Sequence, residues 1–110
     1  MPFADAMERA IHFVKHGHKF GAATEEEYER MADAFLFGEM HADTSECTRP
    51  PCVRSGLIDR LRFGSTSRHF GVACTQPEFL RTFYPVEPKV IARHGGAPGF
   101  FRYECARVMP

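Results

Sequence analysis

Leu57-Ile58-Asp59-Arg60-Leu61-Arg62-Phe63, then Gly64-Ser65-Thr66-Ser67, then Phe70-Gly71-Val72-Ala73-Cys74 is the stretch from which the fold is read. Leu57, Asp59, Leu61 and Phe63 alternate with Ile58, Arg60 and Arg62, and Phe70, Val72 and Cys74 alternate with Gly71 and Ala73. A period of two places successive side chains on opposite faces of a strand. The four-residue joint has the spacing of a hairpin loop, which makes the pair antiparallel. The predicted strands run Leu57–Phe63 and Arg68–Cys74, with a third, Phe79–Tyr84, closed by Pro85. A fourth runs Gly99–Val108, although Glu104-Cys105-Ala106-Arg107 is equally compatible with a helix.

Upstream the period lengthens. Phe3, Met7, Ala10, Ile11 and Val14 recur at steps of three and four, the stripe of an amphipathic helix over residues 4–17 that Gly17 ends. Thr24 with Glu27 three positions on is a capping box, and Glu25, Glu26 and Glu27 suit the positive end of a helix dipole. The second helix is predicted over 25–37, with Tyr28, Met31, Ala32, Phe35 and Leu36 on its buried face and Gly38 as its stop. Residues 39–56 lose periodicity and read as a long loop, and residues 86–99, with Pro88, Gly95-Gly96, Pro98 and Gly99, as an exposed connection. Helices first and strands afterwards predict an α+β domain spanning residues 1–110: two N-terminal helices on an antiparallel sheet of about four strands. Phe35, Leu61, Phe70, Val72 and Phe83 are the expected core.

The chain has 110 residues, 44% hydrophobic and 25% charged. That is a globular composition, too short for two domains and unlike disordered or fibrous chains. No apolar run reaches the roughly 18–20 residues of a membrane span, and the N-terminus lacks a basic region followed by an apolar stretch, so a cytoplasmic site of action is expected. The formal charge is zero, but residues 1–46 hold four basic and ten acidic side chains, and the remainder holds ten basic and four acidic. The basic half can supply a phosphate-binding surface, or the two halves can attract each other in the fold. Of the four cysteines, Cys47 and Cys52 are near neighbours. Reduced thiols are expected; the alternatives are a Cys47–Cys52 disulfide and a zinc site using His41, Cys47 and Cys52.

The densest chemical signal is His12-Phe13-Val14-Lys15-His16-Gly17-His18-Lys19. On a helix His12 and His16 share a face away from the apolar stripe, with Lys15 beside His12. Imidazoles titrate near neutral pH and can exchange a proton with a sugar hydroxyl, while Lys or Arg offsets charge on a phosphorane. In the third strand Thr82 and Tyr84 share one face while Arg81 and Phe83 take the other. Arg62, Thr82 and Tyr84 directed at the histidine end of the helix would bind a phosphodiester. The bland reading is a solvated helix end and strand residues present for β-propensity.

In order, His12-Phe-Val-Lys15-His16-Gly17, Lys19-Phe20-Gly21, Thr24 with Glu27-Tyr28, Asp59-Arg60-Leu61-Arg62-Phe63, Phe70-Gly71-Val72 and Arg81-Thr82-Phe83-Tyr84-Pro85 resemble the C-terminal toxin domains of bacterial contact-dependent inhibition and other polymorphic toxin systems, of the barnase–EndoU–colicin–RelE (BECR) ribonuclease group. The resemblance covers about residues 9–107. It implies a BECR fold and metal-independent cleavage of RNA, often tRNA, with no cofactor, delivery within a larger toxin and a cognate immunity protein. The chain departs from the family in the Cys- and Pro-bearing segment Cys47–Ser55 and in Tyr84, where many members have Lys. On this resemblance His16 is general base or acid and His12 its complement, with Arg62 and Lys15 on the phosphorane and Thr82 and Tyr84 positioning the phosphate. Lys19, Arg60, Thr66 and Arg81 are further phosphate-binding candidates. The alternative is a non-catalytic RNA- or protein-binding domain of the same fold.

Overall fold

Both faces of the strand at the centre of the chain are apolar, and a sheet built around such a strand needs cover on both sides. A computed structural model describes all 110 residues. Four strands, β1 (Thr44–Thr48), β2 (Asp59–Gly64), β3 (His69–Thr75) and β4 (Glu78–Pro85), form an antiparallel meander in that order. Phe70 to Cys74 are all buried. On one face lie α1 (Ala6–His16) and α2 (Glu25–Phe37), and on the other α3 (Pro88–Arg93) and α4 (Ala97–Ala106).

The second helix begins and ends where the sequence predicts, and the first lies within two residues of its predicted bounds. Asp5 caps α1 by accepting from the Glu8 N–H, and Thr24 caps α2 by accepting from the Glu27 N–H, while Glu27 accepts in return from the Ala23 N–H. After α1 the chain makes a 3-10 turn over Gly17–Phe20 and leaves it through Gly21, whose φ of 70° favours glycine. Tyr28, Ala32, Phe35 and Leu36 press on Ala73, Leu80 and Phe83. Gly71 permits the close approach, since a Cβ there would meet Leu36 carbons at 3.0 to 3.2 Å. Leu61, Phe63, Phe70 and Val72 form the second core with Val86 and Phe100. All five expected core residues are buried.

Four expectations are corrected. Residues 99–108 do not form a fourth strand: α4 occupies them, because Ala97, Phe100, Phe101, Glu104 and Cys105 recur at three- and four-residue steps and cover β2 and β3. The fourth strand is instead β1, inside the segment read as a loop. As a short, polar edge strand it shows no apolar alternation. The connection over 86–99 holds α3 and the start of α4, with Pro88 and Pro98 in first turns, where a missing N–H costs nothing. Finally, Met7, Ile11 and Val14 on α1 are exposed, and the side chains turned inward are Arg9, His12, Phe13 and His16. The His12 and His16 rings stack on Phe3 and Tyr84, Phe13 packs tilted against Tyr28, and Arg9 is held by Glu25, Glu26 and Glu29. Aromatic rings bury large area and pack well on other rings.

The cysteine expectation is corrected as well. Cys47 of β1 is bonded to Cys105 of α4, and Cys52 and Cys74 are free and buried. With its sulfur so engaged, Cys47 is neither a partner of Cys52 nor a zinc ligand beside His41. No group of three or more His, Cys, Asp or Glu side chains gathers to hold a metal, and no helix is long and apolar enough to cross a membrane.

Candidate active site

The α1 face of the sheet takes Arg60 and Arg62, while Thr82 and Tyr84 sit on the α4 face. Register fixes this: Arg62 lies opposite Gly71 and Gly71 opposite Phe83, whereas Phe63 lies opposite Phe70 and Phe70 opposite Tyr84. The expected single groove joining Arg62 to Thr82 and Tyr84 is therefore absent. Arg62 donates to the carbonyls of Phe35 (3.0 Å) and Gly38 (2.7 Å), and Arg60 to that of Leu36. Glu46 of β1 pairs with both guanidinium groups. α2 has no basic residue in its own last turn, so two strand arginines serve its unpaired carbonyls and the negative end of its dipole. Arg62→Met strands two carbonyls and leaves Glu46 with Arg60 alone, and a loss of about 2 kcal/mol is expected in urea melts. A loss below a few tenths would refute the capping role.

The remaining phosphate candidates disperse. Arg81 falls at a register shift in β4 and bonds buried Asp59 at 2.7 Å, so it does not share the Phe83 face. Thr66 occupies the β2–β3 turn, its N–H on the Asp43 carboxylate, and Lys15 is exposed on α1. Thr82 shares the Tyr84 face opposite Val72 but does not line the cleft formed there.

His16, Lys19 and Tyr84 do converge. α1 runs beside β4, and the 3-10 turn carries Lys19 back over the helix end. Together with α3 and α4 they enclose a cleft of about 480 Å³, whose other polar residues include Lys89, His94, Tyr103, Glu104 and Arg107. The His16 ring stacks on Tyr84 with centroids 4.9 Å apart, and Lys19 Nζ stands 3.3 Å from His16 Nδ1. An ammonium can only donate, so Nδ1 accepts and the proton of the neutral ring is on Nε2. Burial, then the positive charges of Lys19, His12 and Lys15, push the His16 pKa down to about 4. Burial raises the Tyr84 pKa, with Glu104 adding to it, so the phenol stays neutral.

The residues across the cleft are not among those singled out from the sequence. His94 stacks on Tyr103 at 4.3 Å. Buried Glu104 holds Arg49 at 2.6 Å and Arg107 at 3.0 Å, leaving the Arg107 side chain 41% exposed at the cleft mouth. His94, Tyr103 and Arg107 belong to segments read as a connection and a strand; Pro88 and Pro98 at helix starts were the available signal. His12 is behind the cleft rather than in it: its ring lies on Phe3 at 5.3 Å, with Glu8 at 3.5 Å and a buried, unpartnered Nδ1. It touches the site only through His16, 6.1 Å away.

Burial also lowers the pKa values of His12 and His69. All three imidazoles bind a proton less readily folded than unfolded, so the unfolded chain takes up protons first as pH falls. The stability associated with neutral rings is complete above the ordinary imidazole value of 6.5 and declines from there toward about 4. The expected result is a lower Tm at pH 5 than at pH 7.5, with a smaller difference in His16→Gln. An unchanged difference in that variant would contradict the assignment to His16.

No protein-family model, curated protein or solved structure matches the chain.

Proposed function

We propose that the chain is a metal-independent endoribonuclease with a BECR-type fold, acting on RNA, tRNA among the candidates, at the cleft around His16. The observation that carries the reading is the neutral His16 imidazole, stacked on Tyr84 and capped by Lys19, facing Arg107 and His94. A phosphodiester entering the cleft draws the Lys19 ammonium and the Arg107 guanidinium to its non-bridging oxygens. That frees the Nδ1 lone pair of His16, and the arriving negative charge raises its proton affinity from the depressed value of the empty site.

The freed Nδ1 then takes the proton of the ribose 2′-hydroxyl. The 2′ oxygen forms its bond to phosphorus as the bond to the 5′ oxygen breaks, leaving a 2′,3′-cyclic phosphate. The departing 5′ oxygen receives a proton from His94 on the facing wall, in the role first expected of His12. Lys19 and Arg107 offset charge on the phosphorane, and the Tyr84 hydroxyl donates to it. Within the toxin resemblance an immunity protein would act by closing this cleft.

The test is to incubate purified chain with tRNA in excess EDTA and to identify the product ends. Cleavage giving 2′,3′-cyclic phosphate and 5′-hydroxyl ends is expected. RNA bound but intact would replace this reading with the non-catalytic RNA-binding domain.

A further inference from the structure

A second cavity, about 600 Å³, opens on the other face of the sheet, between α2, the 3-10 turn and the β2–β3 hairpin. Consecutive residues join it to the cleft: Lys19 lines the cleft and Phe20 lines the cavity. Phe20 lies flat on Phe83, centroids 4.2 Å apart, and Phe35 stands beside Phe83 at 5.2 Å. His69 is set edge-on to all three rings. Its backbone N–H bonds Ser67, but its ring nitrogens have no partner in the chain. As burial lowers its pKa, the ring offers one N–H donor and one lone pair.

Asp43 completes the rim. Its carboxylate accepts from Thr44 through Oδ1 and from the Thr66 and Ser67 N–H groups through Oδ2. These bonds, together with one from the Ser67 hydroxyl, lower its pKa and hold a negative charge at the rim. The cavity thus combines flat aromatic walls with a polar edge bearing a donor, acceptors and a negative charge. An anion is repelled by Asp43, and an aliphatic ligand leaves the rim groups unserved. A planar nitrogen heterocycle satisfies both parts, and unstacked bases bind proteins by just this combination of stacking and edge hydrogen bonds.

We infer that this cavity is a nucleobase subsite, taking one unstacked base of an RNA strand whose phosphate sits at Lys19 and Arg107. The inference rests on the ribonuclease reading for the identity of the strand, while the cavity itself is tested separately. Ala34 is an exposed wall residue, so Ala34→Trp fills the space without disturbing the core. The probes are the four nucleoside 5′-monophosphates and ribose 5-phosphate, titrated into the full chain and followed by NMR.

At least one nucleotide is expected to shift the His69 ring and the Phe20 and Ser67 amides, with affinity at least tenfold weaker in Ala34→Trp, whose folding is checked by circular dichroism. Ribose 5-phosphate is expected to move only cleft residues such as Lys19 and Tyr84. Nucleotides that leave His69 unmoved, or that bind Ala34→Trp as they bind the parent, overturn the subsite. If the chain cleaves tRNA and Ala34→Trp changes neither KM nor base preference, the subsite fails and the nuclease reading stands. If nucleotides fill the cavity but tRNA is not cleaved, the subsite stands and the nuclease reading fails.

Discussion

Reduction of the Cys47–Cys105 disulfide is expected to remove about 4 kcal/mol of stability, from the loop entropy released on opening a cross-link 58 residues apart in sequence. For a domain of this size that corresponds to a fall in Tm on the order of 15 °C. The bridge ties the edge strand β1 to α4, and α4 rests on the sheet through Phe100 against Phe63 and Phe70. It also carries Tyr103, Glu104 and Cys105, so loosening it removes one wall of the cleft. Thermal melts with and without reductant, and of the Cys47→Ser/Cys105→Ser variant, measure the effect. Thiol titration of the denatured oxidised protein should find two free thiols, Cys52 and Cys74. Four free thiols, or a Tm indifferent to reductant, would refute the bridge. Such bonds persist in oxidising compartments and are rare in a reducing cytosol, so the stability it supplies depends on where the chain resides.

His16→Ala is expected to lower tRNA cleavage by 10² to 10⁴-fold, the usual contribution of a positioned acid–base group. The variant loses the Nδ1 lone pair and the stack on Tyr84, but no buried ion pair, so it should remain folded. Lys19→Ala sharpens the test: without its ammonium the His16 ring loses one of the charges that depress its pKa, and its NMR titration should move upward. Arg62→Met is the internal contrast, since its guanidinium is committed to the end of α2 and its loss should appear in stability ahead of catalysis. Cleavage by His16→Ala at the parent's rate, with the Lys19→Ala titration unmoved, would remove His16 from the reaction.

What was legible in the sequence was local. Thr24 with Glu27 marks a helix start because both hydrogen bonds of the box close within five residues. The alternation over 57–74 marks two strands and their hairpin because a strand's side-chain period depends only on its own backbone. The core residues followed from those periods, as did the sharing of one face by Thr82 and Tyr84.

Tertiary structure decided which faces meet. Whether Arg62 meets a phosphate or the carbonyls of α2 depends on which side of the sheet α2 lies. Whether Arg81 shares the Phe83 face depends on a register shift against β3. α1 presents two usable faces, and the aromatic one turned inward because Phe3, Tyr28 and Tyr84 were there to receive it, leaving Met7, Ile11 and Val14 outside. The pairing of Cys47 with Cys105 and the arrival of His94 and Arg107 beside His16 join segments far apart in the chain. Periodicity describes one element at a time; the partners of a side chain are set by the packing of several.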